Sequence, residues 1–118
     1  MLQWLGLLAV NLIMPILLII FGALFKNEPP GDINKTFGYR TKLSMKNQKN
    51  WDLAQKILGK IWFKLGIFLL IVSGSGMLLI LIFTPKMQES LSYAITAGQL
   101  IVVCVSLLRI QKALKSET

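Results

Sequence analysis

The chain has no histidine, a single cysteine and only five acidic residues against thirteen lysines and arginines. Each shortage removes a class of chemistry. Cys104 has no partner for an intrachain disulfide. One thiol without an imidazole cannot assemble a zinc site. With no histidine and so few carboxylates, there is no nucleophile–base pairing of the usual kind, so neither an enzyme nor a cofactor is expected. Charge is also missing from three long stretches, Leu2 to Phe25, Leu65 to Phe83 and Leu91 to Leu108. These stretches are apolar nearly all round and lack the polar face that a helix of a soluble bundle turns to water.

What is present is apolar residues in runs. The 118-residue chain is 54% hydrophobic with a mean hydropathy of +0.63, above the roughly 45–50% of an ordinary soluble domain. A helix needs roughly 20 apolar residues to cross the ~30 Å hydrocarbon core of a bilayer, and all three runs approach or exceed that length. The fold class expected is an all-α integral membrane protein with three transmembrane helices in one membrane domain, 1–118. The spans lie at about 2–25, 65–83 and 91–110. A cytoplasmic loop and interfacial helix occupy 26–64, an outer loop 84–90 and a cytoplasmic tail 111–118. The first run is expected to be retained rather than cleaved as a signal peptide. No Lys or Arg precedes it, it is longer than the usual apolar region, and Lys26 follows it instead of small residues.

The charges orient the spans. Between the first and second runs lie Lys26, Lys35, Arg40, Lys42, Lys46, Lys49, Lys56, Lys60 and Lys64, opposed only by Glu28, Asp32 and Asp52. In the other connection Lys86 and Glu89 cancel, and the tail carries Arg109, Lys112 and Lys115 against Glu117. Short loops rich in Lys and Arg stay in the cytoplasm. The reading is therefore a multi-pass protein of the bacterial cytoplasmic membrane, N-terminus outside and C-terminus cytoplasmic. A basic face beside apolar spans suits anionic lipid headgroups better than nucleic acid.

Within the first span, Pro15 removes a backbone donor and presses on the carbonyl of Asn11, so a kink near Asn11 is expected, with neighbouring polar groups satisfying the freed oxygen. Before the second span, Trp51, Ala54, Leu58, Ile61 and Leu65 recur at helical spacing while Lys49, Lys56, Lys60 and Lys64 keep mostly to other faces. That pattern predicts an amphipathic segment lying at the interface or bent out of it. Gly59, Gly66 and Ser73 repeat every seven residues, and Ala94 and Gly98 are four apart; small residues let helix backbones approach closely.

Four polar side chains fall at similar depth inside the spans: Asn11, Ser73, Ser75 and Gln99. At about 1.5 Å per residue they sit roughly 12–15 Å below the outer end, near the midplane. They form either an interhelical hydrogen-bond layer or a polar pocket that meets a ligand. No Asp, Glu, Lys, Arg or His lies in the three charge-free runs, which argues against a proton- or ion-coupled carrier.

The segment after the first span is punctuated rather than merely basic. Pro29, Pro30 and Gly31 form a turn, Asn34 can cap a helical turn, and Gly38 can close it. Arg40 has a planar fork suited to a bidentate contact, with Asp52 or Glu28 as the expected partner and helix-end carbonyls or a lipid phosphate as alternatives. Tyr39 and Trp51 suit the headgroup layer. The pieces Asn34, Gly38-Tyr39-Arg40-Thr41, Ser44, Asn47, Trp51 and Ala54 together resemble the SdpI family of small bacterial membrane proteins. That resemblance implies an integral membrane protein, and with it immunity to a secreted antimicrobial peptide and membrane signalling. The partners it implies are a peptide toxin outside or a cytoplasmic regulator inside; an oligomer is also compatible. The competing readings are a small transporter or channel and an accessory subunit of a larger membrane complex.

Overall fold

A computed structural model describes residues 1–28, 31–33 and 38–118. Three helices account for most of them: α1 (Leu2–Asn27), α2 (Gln48–Phe83) and α3 (Gln88–Glu117), the last two joined through a 3-10 turn, Pro85–Met87. All three are long and apolar enough to cross a membrane. With no water in the hydrocarbon, each segment closes its backbone hydrogen bonds internally, which a helix does and an irregular chain does not. Large apolar side chains cover the outside, among them Ile20, Phe68, Ile71, Leu79, Ile101 and Leu108.

The ends of the helices follow from local chemistry. The Asn47 side chain caps α2 by accepting from the Asn50 N–H at 2.8 Å. Thr84, followed by Pro85, ends it, its N–H bonded back to the Ile80 carbonyl. The amphipathic segment before the second span runs into it without a break, as the first part of α2. The 36 residues of α2 at about 1.5 Å each come to about 54 Å, matching the 52 Å long axis of the molecule. The reason is that its apolar stripe has protein to pack on. Ala54 and Leu58 join Phe25 of α1, Tyr39 of the loop, and Ile110 and Leu114 of α3 in one buried cluster. The expected tail is likewise helical: α3 continues to Glu117, with Leu114 fully buried.

α1 and α2 make the most extensive contact, while α3 packs chiefly on α2. The α1–α2 seam depends on Gly22 and Gly59. A Cβ at Gly59 would collide with the backbone of Phe25 and Lys26, and one at Gly22 with the backbone of Phe63. Gly66 and Ser73 extend the same buried stripe. α3 differs: through its apolar run the buried positions are Ser92, Gln99 and Ser106, seven residues apart, with greasy side chains facing outward.

Candidate functional site

Two polar assemblies stand out, one at mid-membrane depth and one closing the end of the bundle. In the first, Asn11, Ser73 and Gln99 meet. α1 passes through Pro15 as a single helix, and the Asn11 carbonyl that the proline frees accepts from Gln99 Nε2 at 2.7 Å. The same amide donates to Ser73 Oγ at 2.7 Å. The Asn11 side chain turns to α3, taking a 2.9 Å bond from Thr96 Oγ1 and donating to Ser92 Oγ. One amide from each of two helices thus ties all three helices together. Ser75, grouped with these residues by depth, is exposed on the other side of α2, because two residues along a helix turn a side chain by about 200°. Among the described residues no buried side-chain nitrogen or oxygen lacks a partner. Ser92 and Thr96 were absent from the sequence reading; the seven-residue spacing of Ser92, Gln99 and Ser106 is the signal that would have found the stripe.

The second assembly is built around Tyr39. Gly38 has a φ of 111°, a left-handed conformation that a side chain resists. A Cβ there would also press on the Trp51 ring and on Gln55 Oε1. The turn lays the Tyr39 backbone against α2. Gln55 accepts from the Tyr39 N–H at 2.7 Å and donates to the Tyr39 carbonyl at 2.9 Å, imitating a strand pairing with a side chain. The Tyr39 hydroxyl reaches α3 and donates to Gln111 Oε1 at 2.8 Å. Burial raises the Tyr39 pKa above its ordinary value, which keeps the phenol a donor. Next in the chain, the Thr41 N–H donates to Ser44 Oγ, whose hydroxyl donates to the Tyr39 carbonyl at 2.9 Å. The Asn50 side chain donates to the Leu43 carbonyl at 3.0 Å. Trp51 is fully buried beneath the turn rather than set at the headgroups, so Tyr39 and Trp51 act as core.

Arg40 departs from expectation. It is exposed and forms no ion pair with Asp52 or Glu28. Asp52 instead accepts from Gln48 Nε2 at 2.8 Å, and Gln48 also donates to the Gly31 carbonyl. The turn at Gly38 places Tyr39 against α2 and leaves its neighbour Arg40 on the outside. The loop is anchored by neutral hydrogen bonds, for which Gln55 and Gln111 supply the partners. Neither glutamine was singled out in the sequence, since both sit among lysines and read as a solvated face. Asn34, the first residue of the motif, lies outside the described residues.

At the opposite end, Gln3 of α1 donates to Glu89 and accepts from Gln88 Nε2 at 2.9 Å. Trp4 Nε1 donates to the Met77 carbonyl at 2.8 Å.

Comparison with known proteins finds matches over much of the chain. A family model described as the SdpI/YfhL protein family matches residues 32–110. The uncharacterized protein YfhL of Bacillus subtilis (strain 168) is 40% identical over 63 residues, covering 53% of this chain and 54% of that protein. The match therefore spans about half the length of that relative. No solved structure matches.

Proposed function

The chain belongs to the SdpI/YfhL protein family, and from that premise we propose that it is a bacterial membrane immunity and signalling protein. It meets a secreted antimicrobial peptide at the outer side and reports through the loop at the cytoplasmic side. The observation that carries this reading is the loop itself. Residues 38–47 are not a slack connection between spans. They are folded onto the bundle end, with Tyr39 bonded to Gln55 of α2 and Gln111 of α3. A segment that touches both helices senses any change in their spacing, which is what a reporter of a membrane event requires. The orientation rests on charge: the end carrying the loop and the α3 terminus holds nearly all the Lys and Arg, the pattern of a cytoplasmic face. The mid-membrane layer is built from neutral amides and hydroxyls, which favours a structural or peptide-sensing bundle over an ion-coupled carrier.

The experiment is a deletion of the gene followed by challenge with peptides secreted by competing strains. Deletion is expected to sensitise the cells, and the wild-type chain to restore resistance. Restoration by a Gln55→Leu variant that still inserts would remove the loop from the function, and unchanged sensitivity on deletion would remove the immunity reading. Orientation is tested separately. Lys46→Cys and Met87→Cys, each in a Cys104→Ser background, are treated with a membrane-impermeant thiol reagent on whole cells. Labelling is expected at position 87 only; labelling at 46 alone reverses the topology.

A further inference from the structure

Three cations of α2 and α3 line adjoining grooves. Lys64 and Arg109 are the charges that flank the apolar runs of the two helices, and both line one groove of about 350 Å³ whose floor is Ile61, Leu65 and Phe68. A second groove of about 430 Å³ shares Ile61 and Arg109 with the first and continues past Lys112 to Ser116. The three cations are exposed, and among the described residues no carboxylate lines either groove. The Trp62–Ser106 hydrogen bond, 3.1 Å, crosses between the same two helices nearby.

The geometry points to a binding site for an anionic phospholipid in this groove. Its phosphate would lie between Lys64, Arg109 and Lys112, and its acyl chains would run down over Leu65 and Phe68. Three features support a lipid rather than a soluble anion. The cations stand where the charge-free spans end, which is headgroup level. The floor below them is apolar and faces the hydrocarbon, Phe68 being 60% exposed. An Arg fork beside two lysines suits a phosphate that accepts several donors. The basic pocket on the loop side differs: Lys46 and Lys49 share it with Glu117, which partly compensates their charge, and Asn47, Asn50 and Thr118 line it beside a single large apolar residue, Leu43. The site requires only that the chain spans a membrane and does not depend on the immunity reading.

The test uses the full chain reconstituted in phosphatidylcholine vesicles containing a trace of spin-labelled phosphatidylglycerol, or of spin-labelled phosphatidylcholine as reference. The wild type is expected to immobilise the anionic probe preferentially. Each cation near the surface strengthens association about five-fold, so Lys112→Gln is expected to lower the preference about five-fold and Lys64→Gln/Arg109→Gln to abolish most of it. Lys64→Arg is expected to retain it. Lys46→Gln/Lys49→Gln removes as much charge from the loop side and is expected to leave the preference intact. Loss on that side equal to the loss in the groove would overturn the assignment and leave a diffuse basic surface. Unchanged preference in Lys112→Gln, an exposed position that cannot disturb folding, together with the double variant, would overturn it as well. Glycerophosphate added at millimolar concentration is expected not to displace the probe. Displacement would show that the groove binds a free phosphate and not a lipid.

Discussion

The α1–α2 seam and the attachment of α3 hold the same bundle together by opposite means. α1 meets α2 backbone to backbone, through Gly22 and Gly59, with no room for a methyl group at either. α3 is held by polar side chains at successive levels: Gln88 and Glu89 to Gln3, Thr96 and Ser92 to Asn11, Gln99 to Ser73 and the Asn11 carbonyl, Ser106 to Trp62, and Gln111 to Tyr39. Close packing of backbones in lipid gains dispersion energy only when the fit is complete. A ladder of hydrogen bonds can exchange partners one rung at a time. The first two helices therefore make a closely fitted, rigid pair, while α3 is held rung by rung. The loop bridges that difference, with one contact on the rigid pair and another on α3.

The contrast can be broken most severely at the seam. Gly59→Leu is expected to destabilise the α1–α2 pair by about 3 kcal/mol or more, because the side chain meets backbone rather than a movable side chain. Gly98→Ala, with open space around it, is expected to change stability by less than about 0.5 kcal/mol. Unfolding of both variants by steric trapping or denaturing detergent compares them directly, and equal effects would mean that the seam is not where the helices are locked.

A smaller change separates the loop from the bundle. Gln55→Leu orphans the buried Tyr39 N–H, a loss of about 1–3 kcal/mol, and is expected to expose residues 38–47 to added protease in membranes while the spans stay protected. Protection equal to the wild type would show that Gln55 is not the anchor.

The ladder should be weaker rung by rung than the seam. Gln99→Leu removes the partner of the Asn11 carbonyl and is expected to loosen α3 by about 0.6 and at most ~2 kcal/mol. Asn11→Leu keeps the backbone carbonyl that Gln99 holds and removes the side-chain bonds to Ser92 and Thr96, so its effect is expected to add to that of Gln99→Leu, and a large departure from additivity would mean that the two rungs are not separate.

At the bottom of the scale stands Arg40. Since it is exposed and holds neither Asp52 nor Glu28, Arg40→Lys is expected to shift stability by less than about 0.5 kcal/mol and to leave loop proteolysis unchanged. A marked rise in cleavage would restore an anchoring role for the guanidinium.

The three spans, the all-helical class, the family and the separation of charge were present in the order of residues alone. Lipid demands length and apolarity, and both are local properties that a run of residues either has or lacks. Asn11, Ser73 and Gln99 were also traceable, because a polar side chain in hydrocarbon must find a partner at its own depth. What the order of residues left open is azimuth. Depth counts along one axis, so Ser75 looked equivalent to Ser73 until α2 turned it outward. Arg40 and Tyr39 are neighbours, and only the conformation at Gly38 decides which of them enters the core. Gln55 and Gln111, set among lysines in the sequence, become the anchors of the loop once α2 and α3 bring them to one place. Which residues meet depends on the rotation of each helix about its axis, and that is set by the whole packed interface rather than by any segment within it.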